Sequence, residues 1–155
     1  MSEVSLDYLM KHPRALEELA PWLHQEWGHH NNERSVVDRI RFMQPRLTEG
    51  GIPTSIVALV GGRAAGTASL IEDDFESRPH YTPWLATLYV VPDFRCRGIG
   101  ELLIERIREE ARCLGVATLY LTTAGAETYY ERLGWSRVEQ ADNHGRPAWI
   151  MKIEP

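Results

Sequence analysis

The first apolar residues to recur at helical spacing lie in RALEELAPWLHQEWG, entered through His12-Pro13. Leu16, Leu19, Leu23 and Trp27 share one face, which predicts an amphipathic helix. Pro21 falls inside the run and lacks an N–H, so it predicts an interruption that divides the helix. SVVDRIRFMQPRL predicts a second amphipathic helix, with Val36, Val37, Ile40, Phe42 and Met43 as its apolar set and Pro45 bending or ending it. The period then changes from helix to strand. TSIVALV and RAAGTASLI flank Gly61-Gly62, a two-residue turn that favours a β-hairpin. After the polar loop EDDFESRPHYTP, WLATLYVV reads as a buried strand stopped at Pro92.

The next run, GIGELLIERIREEARCLG, predicts a long helix with Ile99, Leu102, Leu103, Ile107, Ala111 and Leu114 inward and Gly115 as its C-cap. VATLYLTT predicts another buried strand and AETYYERLG a short helix. WSRVEQ and PAWIMKI predict a closing hairpin around Asn143-His144-Gly145. The order of helices, hairpin, strand–helix–strand–helix and hairpin predicts an α/β (α+β) chain, a mixed sheet with helices on its faces. Without repeats or a Pro/Ser-rich linker, residues 1–155 read as one domain.

Composition narrows the function. With 22 acidic against 17 basic residues, the net charge is −5, which gives no support for nucleic-acid binding. No apolar run reaches the ~18 residues of a membrane span. The start, MSEVSLDYLMKHP, lacks the basic and apolar regions of a secretory signal, so a cytoplasmic location is expected. Cys96 and Cys113 flank the long helix, too far apart to pair, and read as free structural thiols. His24, His29 and His30 have poor spacing for metal ligands and no paired carboxylate or cysteine, so no metal is expected.

The chemistry gathers in FRCRGIG, residues 94 to 100, between the buried strand and the long helix. A glycine-rich turn there presents backbone N–H groups at the positive end of the helix dipole, a site suited to phosphate. Gly98 and Gly100 admit a close ligand, and Arg95 and Arg97 add charge; two solvated arginines on a tight turn fit the same residues. GxxxxGK[ST] is absent, and Glu101-Leu102-Leu103 after Gly100 breaks GxGxxG.

Val91-Pro92-Asp93-Phe94-Arg95-Cys96-Arg97-Gly98-Ile99-Gly100 resembles the acetyl-CoA pyrophosphate loop of the GNAT N-acetyltransferases, R/Q-x-x-G-x-G/A, with Arg95, Gly98 and Gly100 at the defining positions. Ala126-Glu127-Thr128-Tyr129-Tyr130-Glu131-Arg132-Leu133-Gly134-Trp135 is similar to that family's A-x-x-[LFY]-Y-[ED]-[KR]-x-G-[FYW]. The resemblance implies the GNAT fold, a mixed sheet of about six to seven strands with about four helices. It implies direct acetyl transfer from acetyl-CoA to a primary amine: a small amine, an antibiotic, or a peptide or protein N-terminus. Cofactor contacts are expected from Leu88, Tyr89, Val90, Arg95, Cys96, Arg97, Gly98, Ile99, Gly100 and Thr123, with the amides of residues 95 to 100 on the pyrophosphate.

Tyr130 is the expected general acid and Tyr129 a packing residue. Trp84 stands where some members carry a catalytic Glu, and Thr123 where many carry Asn, which leaves the base to a water relay or another acid. Glu72, Asp73, Asp74 and Glu76 either attract a cationic amine or form a solvated loop. The resemblance also allows a homodimer, and the missing Glu keeps a catalytically inactive acetyl-CoA-binding regulatory module as the alternative.

Overall fold

Gly61 and Gly62, both at positive φ (57° and 79°), join β2 (Thr54–Val60) to β3 (Arg63–Ile71) in the expected antiparallel hairpin. The computed structural model describes residues 3–155, and its strands form one seven-stranded sheet in the order β1-β2-β3-β4-β5-β7-β6. The remaining strands are β1 (Val4–Tyr8), β4 (Trp84–Val90), β5 (Leu119–Thr123), β6 (Ser136–Asn143) and β7 (Arg146–Ile153). Four α-helices accompany them: α1 (Pro13–Trp27), α2 (Val36–Met43), α3 (Ile99–Cys113) and α4 (Glu127–Arg132). The mixed sheet follows from one parallel pair, β4 with β5, among antiparallel neighbours. No helix among the described residues is long and apolar enough to cross a membrane.

The core lies between the sheet and α1 and α3. Leu16, Leu19, Ala20 and Leu23 bury one face of α1, and Ile99, Leu103, Ile104, Ile107 and Ala111 bury one face of α3. Pro21 does not divide α1. It costs a single i→i−4 bond on the exposed side, while the buried residues before and after it hold both halves against the sheet. On α3 the inward stripe leaves out Leu102 and Leu114, both exposed: Leu102 lies off the face that carries Leu103 and Ile107, and Leu114 lies past the helix's last residue, Cys113. The helix closes as expected at Gly115, with Val116 N donating to Ala111 O at 3.0 Å.

α2 departs most from its apolar pattern. Met43 is buried, but Val37 is 55% exposed and Phe42 stands at the surface, while Arg39 turns inward. Buried Glu33 supplies the counter-charge that makes this orientation affordable. As expected, α2 stops before Pro45 and runs into a 3₁₀ turn, Gln44–Arg46. β1 was not expected from the sequence. Its five residues pair antiparallel with β2, and Val4, Leu6 and Tyr8 pack partly buried against the core.

Candidate active site

Two irregularities open the sheet at its centre. On the β3 side, Thr67 pairs with Tyr89 and Ser69 with Ala86, so β4 carries an extra residue, and Thr87 there takes a φ of 52°. On the other side, β4 meets β5 at one pair, Trp84 with Tyr120, and the strands then part. The backbone of Tyr89 and Val90 therefore has a β-partner on one edge and none on the other, and Leu88 sits within the irregularity itself. The Tyr89 ring itself is buried, stacked on Trp22 (6.4 Å) and edge-on to Trp27 (6.0 Å).

Where β4 ends, a recess of about 250 Å³ is lined by Val90, Phe94, Arg95, Cys96, Gly98, Ile99, Gly100, Glu101 and Tyr129. Gly98 caps α3 at φ 77°, a conformation that would strain a residue with a side chain. The helix ladder begins with Leu102 N donating to Gly98 O at 3.1 Å, which leaves the amides of Ile99, Gly100 and Glu101 with no main-chain acceptor. Arg95's own amide is engaged, donating to Pro92 O at 3.2 Å, so it is not free for a phosphate. The Arg95 side chain packs over the Tyr89 ring at 5.4 Å, and its Nε donates to Val90 O at 2.9 Å. Arg97 reaches back over Phe94 at 5.5 Å. Free amides at a helix mouth beside two arginines fit a diphosphate, with Glu101 as the one opposing charge.

Along the opened strand lies a second cavity, of about 600 Å³, walled by β4, β5, α2, the end of α1 and the β6–β7 turn. Tyr130 reaches it from α4, where its carbonyl accepts from Leu133 N (3.0 Å) and Trp135 N (3.1 Å). Its ring meets Tyr129 and Trp135 edge-on, at 5.3 and 6.1 Å. Burial, reinforced by Tyr129, pushes its phenol up to about 12.

The sequence pattern of the Acetyltransferase (GNAT) family matches residues 12–135. The chain belongs to the GNAT family. Two curated proteins share shorter stretches with this GNAT chain. The amino-acid acetyltransferase of Azotobacter vinelandii is 51% identical over 49 residues, 31% of this chain and 11% of that protein. The [ribosomal protein bS18]-alanine N-acetyltransferase of Salmonella typhimurium is 38% identical over 66 residues, 38% of this chain and 45% of its own length. The chain thus spans less than half the length of either relative. Among solved structures, an aminoglycoside 6'-N-acetyltransferase complexed with coenzyme A superposes with a TM-score of 0.74 at 18% identity, covering 98% of this chain and 96% of that one. A Salmonella typhimurium protein thought to be an acetyltransferase, solved with its cofactor acetyl-CoA, gives 0.73 at 18% identity over 97% of this chain and 93% of that one. Those structural likenesses establish the GNAT fold.

Within this GNAT chain most of the expected residues fall into two groups around the opened β4, while the Tyr89 and Arg97 side chains line neither chamber. Val90, Arg95, Cys96, Gly98, Ile99 and Gly100 gather at the recess. Leu88, Thr123 and Tyr130 face the larger cavity. The Thr123 hydroxyl accepts a hydrogen bond from Ala126 N at 3.3 Å, which ties it to the turn before α4. Trp84 is fully buried and donates from Nε1 to Tyr81 O at 2.6 Å, so it offers no acid–base group. Tyr129, expected as packing, lines the recess. Adjacent positions on a helix point about 100° apart, and here that difference sends the two tyrosines to different chambers.

The cavity's charged residues are mostly ones that motif reading missed. Of the acidic run only Asp74 lines it. Asp74 is exposed to the cleft's water, while the protein packed around its carboxyl partly desolvates it and raises it from 3.8 to about 6, against the pull of Arg46. Glu26 is the other carboxylate on the wall. His30 stacks on His144 at 4.6 Å across the mouth, and burial with neighbouring His29, His144 and Arg146 lowers its pKa. No group of three or more metal-ligating side chains forms among the described residues.

Proposed function

We propose that this chain transfers the acetyl group of acetyl-CoA to the primary amine of an acceptor held in the larger cavity, within a complex of both substrates. The observation that carries the reading is the opened β4, with a free-amide loop at its end and Tyr130 across from it. Acetyl-CoA supplies, when bound, an acyl thioester whose carbonyl carbon takes the amine nitrogen and whose sulfur leaves.

The amides of Ile99, Gly100 and Glu101 and the charges of Arg95 and Arg97 hold the diphosphate. The unpaired β4 edge from Leu88 to Val90 takes the pantetheine arm by strand-like pairing. An N–H near Tyr89 and Val90 stabilises the charge that gathers on the thioester oxygen.

Tyr130 stays protonated throughout the physiological range, since its phenol sits at about 12. It is a weaker acid than a thiol of pKa ~8.5. Its contribution is therefore a hydrogen bond that strengthens as charge moves onto sulfur, with the proton lost by the nitrogen completing the thiol. Asp74, at about 6, and His30, held below its ordinary 6.5, are both unprotonated above neutrality and can take that proton through water.

Incubation with acetyl-CoA and a panel of small amines, amino acids, aminoglycosides and peptides, read as free thiol released, tests the proposal. Transfer to at least one member is expected. Intact binding of CoA with no turnover on any member would instead establish the regulatory module.

A further inference from the structure

Two buried arginines flank one exposed phenylalanine on the cavity wall, and their charges meet different fates. The guanidinium carbons of Arg39 and Arg46 lie 4.8 and 4.9 Å from the centre of the Phe42 ring. Arg39 is 1% exposed; its Nε donates to Glu33 Oε1 at 3.0 Å and its Nη2 sits 2.6 Å from Glu33 Oε2. One edge of that guanidinium is therefore closed by a carboxylate, through one hydrogen bond and one close ion contact.

Arg46 is 8% exposed and its Nη1 donates to two hydroxyls, Thr87 Oγ1 at 2.8 Å and Ser69 Oγ at 3.2 Å. Ser69 in turn shares a hydrogen with Ser55 Oγ at 2.7 Å, which fixes the head of the side chain. No carboxylate forms an ion pair with Arg46 among the described residues. Its Nε and Nη2, the edge that Arg39 gives to Glu33, meet no protein acceptor and are not sealed from the cavity. Desolvation lowers Arg46 only to about 10, so it is fully charged at neutral pH. Asp74 acts on this cation through space but forms no ion pair with it, and a largely buried guanidinium whose edge meets no acceptor is expensive unless a ligand supplies one.

We infer that the free Nε/Nη2 edge of Arg46 receives a carboxylate of the acceptor, so that the acceptor is an amino acid or a small amine of the same charge pattern. The inference rests on the transferase reading above. Asp74 and Glu26, the carboxylates of the same cavity, suit the ammonium end of such a zwitterion. A polycationic acceptor meets Arg46 as a like charge, and a peptide N-terminus brings no carboxylate next to its amine. Arg95 and Arg97 cannot compete for this role, because Arg95 lines the recess at the end of β4 and Arg97 packs over Phe94 beside it, and neither lines the cavity.

The test uses the full chain with acetyl-CoA and matched triplets: alanine, leucine, phenylalanine and glutamate, each beside its α-carboxamide and its decarboxylated amine. A tripeptide and spermidine complete the set. Thiol release is expected to give at least one amino acid a kcat/KM about thirtyfold above its amide, and Arg46→Gln to erase that preference mainly through KM. Arg46→Lys should restore part of it, and CoA-induced thermal stabilisation should be the same in all three proteins. Equal or better transfer to the amides, the amines, the tripeptide or spermidine overturns the inference without any variant. Titration calorimetry of the same triplets into the CoA-bound protein separates the two claims. Selective binding of the amino acids without acetyl transfer overturns the transferase reading alone; transfer without selectivity overturns the Arg46 assignment alone. No binding or transfer by any amino acid, with transfer to another amine, overturns the Arg46 assignment alone; no transfer to any amine tested overturns both.

Discussion

Thr87 Oγ1 accepts a hydrogen bond of 2.8 Å from Arg46 Nη1, and Thr87 is also the residue at which β4 leaves its ladder, at φ 52°. The irregularity that opens the strand toward the loop thus also orients the arginine of the acceptor cavity. One residue serves both chambers.

Replacing Thr87 with Val keeps the branched shape and removes the acceptor. A hydrogen bond to a charged group contributes ~1.5–3 kcal/mol. The acceptor KM of Thr87→Val is therefore expected to rise about tenfold or more, with CoA-induced stabilisation preserved, because the β4 edge beyond the bulge is unaltered. Steady-state kinetics with the best acceptor checks this, and an unchanged KM would detach Thr87 from the acceptor.

Tyr130→Phe removes the hydroxyl while keeping the ring against Tyr129 and Trp135. General acid groups contribute roughly 10²–10⁴ in rate. Because the phenol at about 12 acts more as a hydrogen-bond donor than as a free proton source, the lower end is expected, about a hundredfold in kcat. The melting temperature should shift little, since no protein partner of the hydroxyl is lost. A rate within twofold of the parent would remove Tyr130 from the chemistry.

Gly100 separates packing from binding. A Cβ there would meet Val90 Cγ2 at 3.8 Å and Tyr129 Oη at 3.9 Å, ordinary contacts, and the residue is helical. Ala is favoured over Gly inside a helix by ~1 kcal/mol. Gly100→Ala should therefore melt at an equal or higher temperature without ligand. The same methyl stands over the amides assigned to the diphosphate, so the further stabilisation by CoA should fall. Thermal scans with and without CoA read both signs at once; unchanged CoA stabilisation would place the diphosphate elsewhere.

The legible parts of this fold are those whose signal is local. The Gly61-Gly62 hairpin, β4, α3, β5 and the closing hairpin follow from periodicity and turn chemistry, and the loop from a junction of strand, glycine and helix. What escaped depends on partners distant in sequence. Arg39 is inward because Glu33 waits for it, and Arg46 because Thr87 lies across the sheet, 41 residues on. Hydropathy assigns both to solvent and gives the core to Val37 and Phe42 instead. β1 is a different case. Val4, Leu6 and Tyr8 alternate with Ser5 and Asp7, a period-two signal short enough to pass for an irregular start.

Asp74 gives the fold and the chemistry a common pH signature. Its carboxyl is raised from 3.8 unfolded to about 6 folded, so between those values the native state holds the proton more firmly. Stability contributed by this group therefore grows as pH falls through about 6, and ionised Asp74 costs stability at neutral pH. Asp74→Asn should remove that cost and raise stability at pH 7, by less than about 1 kcal/mol because cleft water reaches the side chain. The advantage should vanish below about pH 4, where parent Asp74 is protonated in both states. Denaturant titrations at pH 7 and below pH 4 check the sign. The same substitution should flatten the acid limb of kcat/KM near pH 6 if Asp74 takes the amine proton; a limb left in place assigns that task to His30 at the mouth of the cavity.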